Sequence, residues 1–262
     1  MRPYFSDSPP LAIAHRGSRL LWPENTLVAF QGAIDLGYRY METDLHMTSD
    51  GVLVAFHDDT LERITDGSGS LSSVTWDELS RLDAAYNFAP HEGFPRRGSG
   101  ITVPRLDELM GTFPGVRLTL DLKQERLEDA LADFLSKGGL EDQVIVGSFS
   151  GRRLARFRRA SSGRVATSAG PAETLALWTA ARVGRSLRTR ADALQIPEEF
   201  AFVKLPDGKL LEAAEAAGLQ VHVWTVDDPA RMSRLLDSGV HGIITDRPDT
   251  LKQLLQERGQ WS

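Results

Sequence analysis

Short apolar runs alternate with amphipathic segments along the whole chain, a pattern typical of an α/β protein. The apolar runs are continuous and bounded by breaker residues, as expected for parallel strands that are buried on both faces. They predict strands at Leu11–Ala14, Tyr38–Leu45, Val52–Phe56, Arg117–Leu122, Gln143–Ser148, Arg164–Ser168, Ala191–Ile196, Gln220–Val226 and Gly242–Thr245. The segments between them predict helices at Thr26–Leu36, Thr75–Leu82, Arg126–Lys137, Gly151–Ala160, Pro171–Ala181, Gly208–Ala217, Pro229–Asp237 and Pro248–Glu257.

The number of strand and helix units favours a TIM (β/α)8 barrel. If Val52–Phe56 forms a side hairpin, eight βα units remain, which is the number that closes such a barrel. The length of 262 residues also suits one barrel, so we predict a single domain over residues 1–262. A doubly wound open sheet is the alternative, but no glycine-rich nucleotide-binding turn follows the first strand.

Residues 60–104 interrupt the alternation. This stretch is rich in Gly, Ser, Pro and charge, and its one helical signal is Thr75–Leu82. We therefore predict an insertion between the second strand and its helix. Because long loops in compact domains are usually lids or binding elements, we expect it to set substrate preference. It also offers Tyr86, Phe88 and Phe94 for an apolar lip.

Composition excludes several classes of protein. The formal net charge is −6, which gives no electrostatic basis for binding nucleic acid. The chain has no cysteine, which rules out disulfides, thiolate metal sites and cysteine nucleophiles. There is no signal-like apolar segment near the start and no run of the ~18 apolar residues that a membrane helix needs. We expect a soluble cytoplasmic protein without stable membrane insertion; the oligomeric state stays open.

Charged side chains stand where the first two strands should be most apolar. In a barrel, catalytic groups lie at the carboxyl ends of the strands, and His15 and Arg16 directly follow the first strand. Glu42 and Asp44 are two residues apart and therefore share one face of the second strand. Two buried carboxylates need a counter-charge, and a hard divalent cation such as Mg²⁺ or Ca²⁺ prefers carboxylate oxygens.

Further polar residues fall at later strand ends. His57 follows Val52–Phe56, Asp121 and Lys123 share a face of the next strand, and Trp224 ends a later one. Arg16, Lys123 and a cation can neutralise a phosphate, two histidines can serve as general base and general acid, and Trp224 can provide an apolar wall. The residue types alone thus indicate metal-assisted displacement at phosphorus.

The same segments, taken together, resemble the glycerophosphodiester phosphodiesterase family. They are HRG at 15–17, PENT at 23–26, METDLHMTSDGVLVAFHDDTLERITDGSG at 41–69, LDLK at 120–123, VWTVDD at 223–228 and GVHGIITDRP at 239–248. The resemblance covers nearly the whole chain in order. It implies a TIM barrel that hydrolyses a small-molecule glycerophosphodiester to sn-glycerol 3-phosphate and an alcohol, with Ca²⁺ or Mg²⁺.

The resemblance also implies a role for each matching residue. The metal ligands are Glu42, Asp44 and Asp121; the acid/base pair is His15 and His57; Arg16 and Lys123 contact phosphate; Trp224 lines the glycerol side; and Asn25 faces the substrate. Two positions depart from the family pattern. Asp121 replaces the usual Glu and shortens the reach to a metal, and Asp227 replaces the usual Asn and is expected to disfavour acidic substrates by its charge near the rim.

Two nearby residues and two alternative functions also need to be considered. We expect His46 to lie at the rim or behind the site, and Asp246 to be a cap or turn residue rather than a fourth ligand. A lysophospholipid- or sphingolipid-directed phosphodiesterase and a catalytically silent glycerophospho-binding barrel are the alternative functions. Both histidines are present, which argues against the silent barrel. The alcohol, the choice of cation and the formation of a cyclic phosphate stay open.

Overall fold

The protein folds as a closed parallel barrel surrounded by helices. A computed structural model describes residues 2–200 and 203–261. The strands are β1 (Leu11–His15), β2 (Tyr40–Met47), β3 (Leu53–Ala55), β4 (Arg117–Leu122), β5 (Val144–Gly147), β6 (Ala166–Thr167), β7 (Ala193–Pro197), β8 (Glu199–Phe200), β9 (Val203–Lys204), β10 (Gln220–Trp224) and β11 (Gly242–Thr245).

The strand order closes on itself. Parallel neighbours run β6-β5-β4-β2-β1-β11-β10-β7, and a parallel bridge between Ser168 and Ala193 joins the two ends of this series. β3 pairs antiparallel with β2 and stands outside the ring, as the side-hairpin interpretation requires. The predicted TIM barrel is therefore confirmed, whereas the prediction of a single domain over the whole chain stays a prediction.

Helices follow most of the barrel strands. They are α1 (Leu27–Asp35), α2 (Trp76–Leu79), α3 (Leu106–Thr112), α4 (Glu128–Gly138), α5 (Gly151–Ala160), α6 (Pro171–Arg182), α7 (Gly208–Ala216), α8 (Pro229–Asp237) and α9 (Pro248–Glu257). Thr26, Ser150, Asp207 and Asp228 cap four of them by accepting a backbone N–H bond, which is typically worth about 1 kcal/mol per helix.

Alternation along β2 and β4 separates the core from the site. Side chains at successive strand positions point to opposite faces. One face is packed against the helices and consists of buried apolar residues: Met41, Leu45, Leu118, Leu120 and Leu122. The other face points into the barrel and carries Glu42, Asp44, Thr119 and Asp121. The apolar face therefore fixes the strands while the opposite face is free to carry charge.

An aromatic plug fills the barrel interior opposite the open end. The first helical turn, Pro3–Phe5, buries Tyr4 and Phe5 against Ile13 and Ile244. The Tyr4 hydroxyl lies 2.9 Å from Thr119 Oγ1, so its polar atom keeps a hydrogen-bond partner. The amino-terminal residues thus close the barrel below the charged layer.

The stretch between β3 and α3 has a small core of its own. Its buried apolar cluster consists of Val54, Phe56, Leu61, Leu71, Leu79, Ala84, Ala85, Ile101 and Val103. The short helix α2 begins with a capping box between Thr75 and Glu78. The insertion is therefore a packed unit beside the barrel rather than an open loop.

Candidate active site

One large cavity opens at the carboxyl ends of the barrel strands. Its volume is about 790 Å³. Its lining includes all but one of the residues to which the resemblance gives a catalytic, metal or substrate role: His15, Arg16, Glu42, Asp44, His57, Asp121, Lys123 and Trp224. Asn25 is not among the described residues that line it. Gly147 stands beside Asp121 in the next strand, and its missing side chain leaves room for the cavity.

Lys123 bridges the carboxylates of β2 and β4. Asp44 and Asp121 are register partners on these neighbouring strands. The Lys123 ammonium lies 2.9 Å from Asp44 Oδ1 and 2.8 Å from Asp121 Oδ2, while Arg16 Nε lies 2.9 Å from Asp44 Oδ2. Burial alone would raise the pKa of Asp44, but Arg16 and Lys123 outweigh it and hold that pKa below its ordinary value.

Glu42 is a carboxylate of the cavity that lacks a full set of hydrogen-bond partners. It is 7% exposed, and its Oε2 makes no hydrogen bond. Burial and the neighbouring Asp44 raise the pKa of Glu42 to about 7. A buried carboxylate oxygen without a donor is a position where a cation would be stabilising.

The carboxylate oxygens of the cavity are therefore chemically suited to bind a hard divalent cation. Three carboxylates lie on adjacent strands in one cavity, and oxygen donors are what Ca²⁺ and Mg²⁺ prefer. Within residues 2–200 and 203–261, however, no three His, Asp or Glu side chains already surround one point. The cation now held between Asp44 and Asp121 is the ammonium of Lys123.

His15 is held between two carboxylates. Its Nδ1 lies 3.0 Å from Asp246 Oδ1 and its Nε2 lies 3.7 Å from Glu42 Oε2. Because the ionised carboxylate of Asp246 only accepts, Nδ1 donates and Nε2 faces the cavity. Burial lowers the pKa of His15, but Glu42 and Asp246 act in the opposite direction, and the net pKa is raised.

Asp246 lies in the turn between β11 and α9, as expected, but it is not the cap of that helix. Helix α9 has Arg247 as its N-cap and no side-chain capping bond. The Asp246 side chain is fully buried and accepts bonds from His15 and from Arg19 Nε at 2.6 Å. It therefore orients His15. Its signal in the sequence was its place directly after a strand, the same signal that identified His15 and Arg16.

His57 is oriented by a chain of charged side chains. Its Nδ1 lies 2.5 Å from Asp58 Oδ1, and Asp58 Oδ2 pairs with Arg63. Arg63 donates two bonds to Glu24, at 2.8 and 2.7 Å, and Glu24 also accepts from Arg16 at 2.9 Å. The pKa of His57 is lowered, chiefly by burial. Sequence reasoning did not single out Asp58, Arg63 or Glu24.

The loop after β1 needs unusual backbone geometry. Arg16 and Asn25 have φ values of 54° and 55°, and Arg16 O accepts from Asn25 N at 3.0 Å. Gly17 has φ 78°, and a Cβ there would lie 2.6 Å from the Ala29 carbonyl carbon, so only glycine fits. Residues held at positive φ are concentrated at functional sites.

Asn25 braces the charged cluster from below. Its side chain is 1% exposed; Nδ2 donates to Asp44 Oδ2 at 3.2 Å and Oδ1 accepts from Thr43 at 2.8 Å. It therefore contacts Asp44 rather than the cavity. His46 is similarly buried, with Nε2 3.2 Å from the His57 carbonyl oxygen, and it lies behind the site as expected.

Asp227 is hydrogen-bonded to the end of β11 and to the turn that follows it. Its Oδ1 accepts bonds from Thr245 Oγ1 at 3.0 Å and from the Asp246 backbone N–H at 2.7 Å. It is not among the described residues that line the cavity. The carboxylate braces the turn that carries Asp246. The expected effect of its charge on acidic substrates stays a prediction.

The insertion also differs from expectation. Arg63 is the member of residues 60–104 that lines the cavity, within the part of the chain that the structure describes. Tyr86 and Phe94 pack on the Arg97 guanidinium, with ring centroids 4.0 and 3.8 Å away, and Phe88 packs on the cluster of the insertion. These aromatic residues therefore do not form a lip.

Comparison with known proteins settles the family once this geometry is in view. The sequence model of the Glycerophosphoryl diester phosphodiesterase family matches residues 15–250.

The chain belongs to the glycerophosphoryl diester phosphodiesterase family.

A relative named "Probable glycerophosphodiester phosphodiesterase 2" from Mycobacterium tuberculosis is 36% identical over 96% of this chain and 92% of its own length. A glycerophosphodiester phosphodiesterase structure from Agrobacterium tumefaciens matches with a TM-score of 0.77 and 27% identity, over 93% of this chain and 99% of that one. An Oleispira antarctica phosphodiesterase in complex with the product sn-glycerol-3-phosphate matches with a TM-score of 0.75 and 25% identity, over 95% of this chain and 97% of that one.

Membership of the family confirms the resemblance drawn from the motifs and the prediction of an enzyme of this class. None of the helices in the described ranges is long and apolar enough to cross a membrane. The roles assigned to individual residues stay predictions, and they are developed in the proposal that follows.

Proposed function

We propose that this enzyme hydrolyses glycerophosphodiesters to sn-glycerol 3-phosphate and an alcohol, by acid/base catalysis with His15 and His57 and with a divalent cation. The observation that carries the proposal is the matched setting of the two histidines. Each has a carboxylate on Nδ1, Asp246 for His15 and Asp58 for His57, and both line the cavity that holds the carboxylates and cationic groups.

The two imidazoles suit the proton transfers of the reaction. A carboxylate on Nδ1 fixes the tautomer and leaves Nε2 available to the substrate. One histidine accepts a proton from the attacking hydroxyl, and the other donates a proton to the oxygen of the leaving alcohol. Whether the attacking group is water or a glycerol hydroxyl, which would give a cyclic phosphate, both transfers are needed.

Cationic groups bind the phosphate of the substrate, and carboxylates bind the cation. Arg16 and Lys123 neutralise the phosphate oxygens, and Trp224 packs against the carbon skeleton. Glu42, Asp44 and Asp121 would hold Ca²⁺ or Mg²⁺, which supplies charge stabilisation at the phosphoryl group when bound. Asn25, which contacts Asp44, keeps that carboxylate in place.

A purified-protein assay tests the proposal. Glycerophosphocholine is incubated with the enzyme, with EDTA, and with Ca²⁺ or Mg²⁺ added back, and sn-glycerol 3-phosphate is measured. We expect product formation that EDTA abolishes and one of the two cations restores. Binding of glycerophosphocholine without product under every condition would favour the silent barrel. We also propose that the enzyme acts in the cytoplasm, where the absence of cysteine suits a reducing environment.

A further inference from the structure

Helix α6 does not have the charged outer face that a helix on the surface of a globular protein normally carries. Its exposed residues are uncharged and mostly apolar: Pro171, Ala172, Leu175, Ala176 and Thr179. The two charged residues of the helix are held by partners, since Glu173 pairs with Arg158 at 2.9 Å and Arg182 pairs with Asp207. One face of α6 is therefore open to water without a charge.

A segment that is both basic and apolar, residues 183–190, continues from the end of this helix. Val183 is 65% exposed and Leu187 is 38% exposed. The three arginines of the segment are exposed as well, and within residues 2–200 and 203–261 their side chains make no ion pair or hydrogen bond: Arg185, Arg188 and Arg190. The segment contains no Asp or Glu, although the whole chain has a formal net charge of −6. We call the exposed residues of α6 together with residues 183–190 the α6 surface.

Contacts place the end of α6 at the open end of the barrel. Leu175 and Trp178 line the cavity. The Arg182 guanidinium stacks on the Trp178 ring, 3.7 Å from its centroid, and pairs with Asp207, which is the N-cap of α7. Because the helix after a barrel strand begins near the carboxyl end of that strand, Asp207 lies at the same end of the barrel as the cavity. The α6 surface therefore flanks the cavity mouth.

The combination of aliphatic and basic side chains fits the headgroup region of an anionic bilayer. Aliphatic side chains are stabilised at the boundary between headgroups and acyl chains, and arginines are stabilised among anionic headgroups. A nucleic acid would offer negative charges to the arginines but would leave Val183 and Leu187 in water. An anionic bilayer satisfies both parts of the α6 surface.

We propose that the α6 surface docks peripherally on membranes that contain anionic lipids, with its aliphatic residues at the headgroup boundary and its arginines on lipid phosphates. Docking would hold the cavity mouth beside the bilayer. The inference goes beyond the proposed hydrolysis and does not depend on it, because the α6 surface contains none of the residues assigned to catalysis.

Vesicle flotation measures the docking. The full chain is mixed with vesicles of phosphatidylcholine alone or with vesicles that also contain phosphatidylglycerol. Each arginine near an anionic surface strengthens binding about fivefold, so the three together should strengthen it by roughly 10²-fold over neutral vesicles. Added salt should weaken the binding, because it screens the charges. Equal binding to both kinds of vesicle, or binding to neither, would overturn the inference.

A basic variant locates the charged part of the surface. It carries three substitutions and should lose most of the gain from phosphatidylglycerol: Arg185→Gln, Arg188→Gln and Arg190→Gln. The matched control has the same net charge but changes exposed arginines on other parts of the surface: Arg81→Gln, Arg96→Gln and Arg159→Gln. If both triple variants lose the gain equally, net charge alone sets the binding and the assignment to the α6 surface fails.

An apolar variant locates the aliphatic part. Val183→Ser combined with Leu187→Ser should weaken binding to the phosphatidylglycerol vesicles by about tenfold, because two aliphatic side chains are no longer buried. Leu20→Ser combined with Val28→Ser, at exposed apolar residues in the loop after β1 and on α1, should bind as the wild type does. Undiminished vesicle binding in the Val183 and Leu187 variant, together with tight binding to duplex DNA, would assign the arginines to a polyanion instead and contradict the inference.

Hydrolysis in solution separates this inference from the proposed function. All four variants should hydrolyse soluble glycerophosphocholine at the wild-type rate, which also shows that they are folded. If hydrolysis is intact but the basic variant floats with the vesicles as the wild type does, the inference fails and the proposed function stands. If no diester is hydrolysed but the wild type floats and the folded basic variant does not, the proposed function fails and the docking surface stands.

Discussion

At the scale of single residues, charged side chains in the loops hold His15 and His57 through hydrogen bonds to Nδ1. His15, Glu42 and Asp121 stand on strands, in positions where alternation predicts an inward side chain, so the sequence could indicate them. Asp58 and Glu24 lie in loops, where no periodicity indicates the direction of a side chain. Glu24 is linked to His57 through Arg63, which lies 39 residues after Glu24 in the chain. Such long-range pairs are set by the fold and leave no local pattern.

Asp121 provides the first test at this scale. Its carboxylate is one methylene shorter than Glu, but its strand is in register with Asp44, and the two share Lys123. We expect Asp121→Asn to weaken metal activation and turnover strongly, because it removes a negative charge from the cluster. Asp121→Glu keeps the charge and should be tolerated far better. The measurement is a metal titration of activity; unchanged metal dependence in Asp121→Asn would exclude Asp121 from the metal site.

Asp246 provides the second test at the scale of single residues. In Asp246→Asn the amide can donate to His15 Nδ1, which favours the wrong tautomer and removes a charge that raises the pKa of His15. Because positioned proton transfer contributes about 10²–10⁴-fold, we expect kcat to fall by ~10²-fold with a smaller change in KM. The control is Asp249→Asn, whose carboxylate pairs with Arg247 on α9. Equal kcat in wild type and Asp246→Asn would remove Asp246 from the mechanism.

At the scale of secondary structure elements, the strands and most helices followed from pattern, and the exceptions have physical causes. Helix α3 is short and follows a polar, proline-containing stretch, so its periodicity is weak. The β8–β9 hairpin contains only two-residue strands. The insertion was recognised by composition, but the packing of its aromatic residues on Arg97 and on its own cluster left no signal in the sequence pattern.

Within the described residues the insertion contributes Arg63 to the cavity lining, so we expect it to affect turnover rather than substrate preference. We expect Arg63→Met to lower kcat by roughly tenfold on every glycerophosphodiester, since a charged hydrogen bond is worth about 1.5–3 kcal/mol. Arg97→Met is the matched control, because Arg97 belongs to the same insertion and does not line the cavity. Steady-state kinetics on two substrates check this. A change in substrate preference without loss of kcat in Arg63→Met would restore the specificity role of the insertion.

At the scale of the whole molecule, the barrel interior contains a buried polar layer that no sequence motif indicated. His222 is fully buried, with Nε2 3.0 Å from Gln220 Oε1 and Nδ1 3.5 Å from Gln195 Nε2. Burial lowers its pKa to about 3. The sequence placed His222 on a strand but could not show that the residue lies inside the ring, because that depends on the closure of the barrel and on the plug formed by Tyr4 and Phe5.

His222 should make folding sensitive to acid. Its pKa is lower in the folded state than in the unfolded chain, so below about pH 6.5 the unfolded state alone takes up the proton. The contribution to stability is intact above that pH and declines as the pH falls toward 3. Between pH 7.5 and 4.5 we expect protonation of His222 in the unfolded state to lower the free energy of unfolding by about 2–3 kcal/mol, at 1.36 kcal/mol per pKa unit.

Urea unfolding at the two pH values measures this effect. His222→Asn should lose less stability between pH 7.5 and 4.5 than the wild type does, whatever its stability at pH 7.5. His91→Asn, at an exposed histidine in the insertion, should behave as the wild type. An equal loss of stability in His222→Asn and wild type would show that His222 is not held neutral in the fold.

The central claim is that His15 and His57 together cleave a glycerophosphodiester in the cavity at the open end of the barrel. The most direct measurement follows glycerophosphocholine by phosphorus NMR with wild type, His15→Ala and His57→Ala, each first shown to be folded by circular dichroism. We predict stoichiometric conversion to sn-glycerol 3-phosphate by the wild type and a rate lower by ~10²–10⁴-fold in each variant. Conversion at the wild-type rate by either folded variant would contradict the claim.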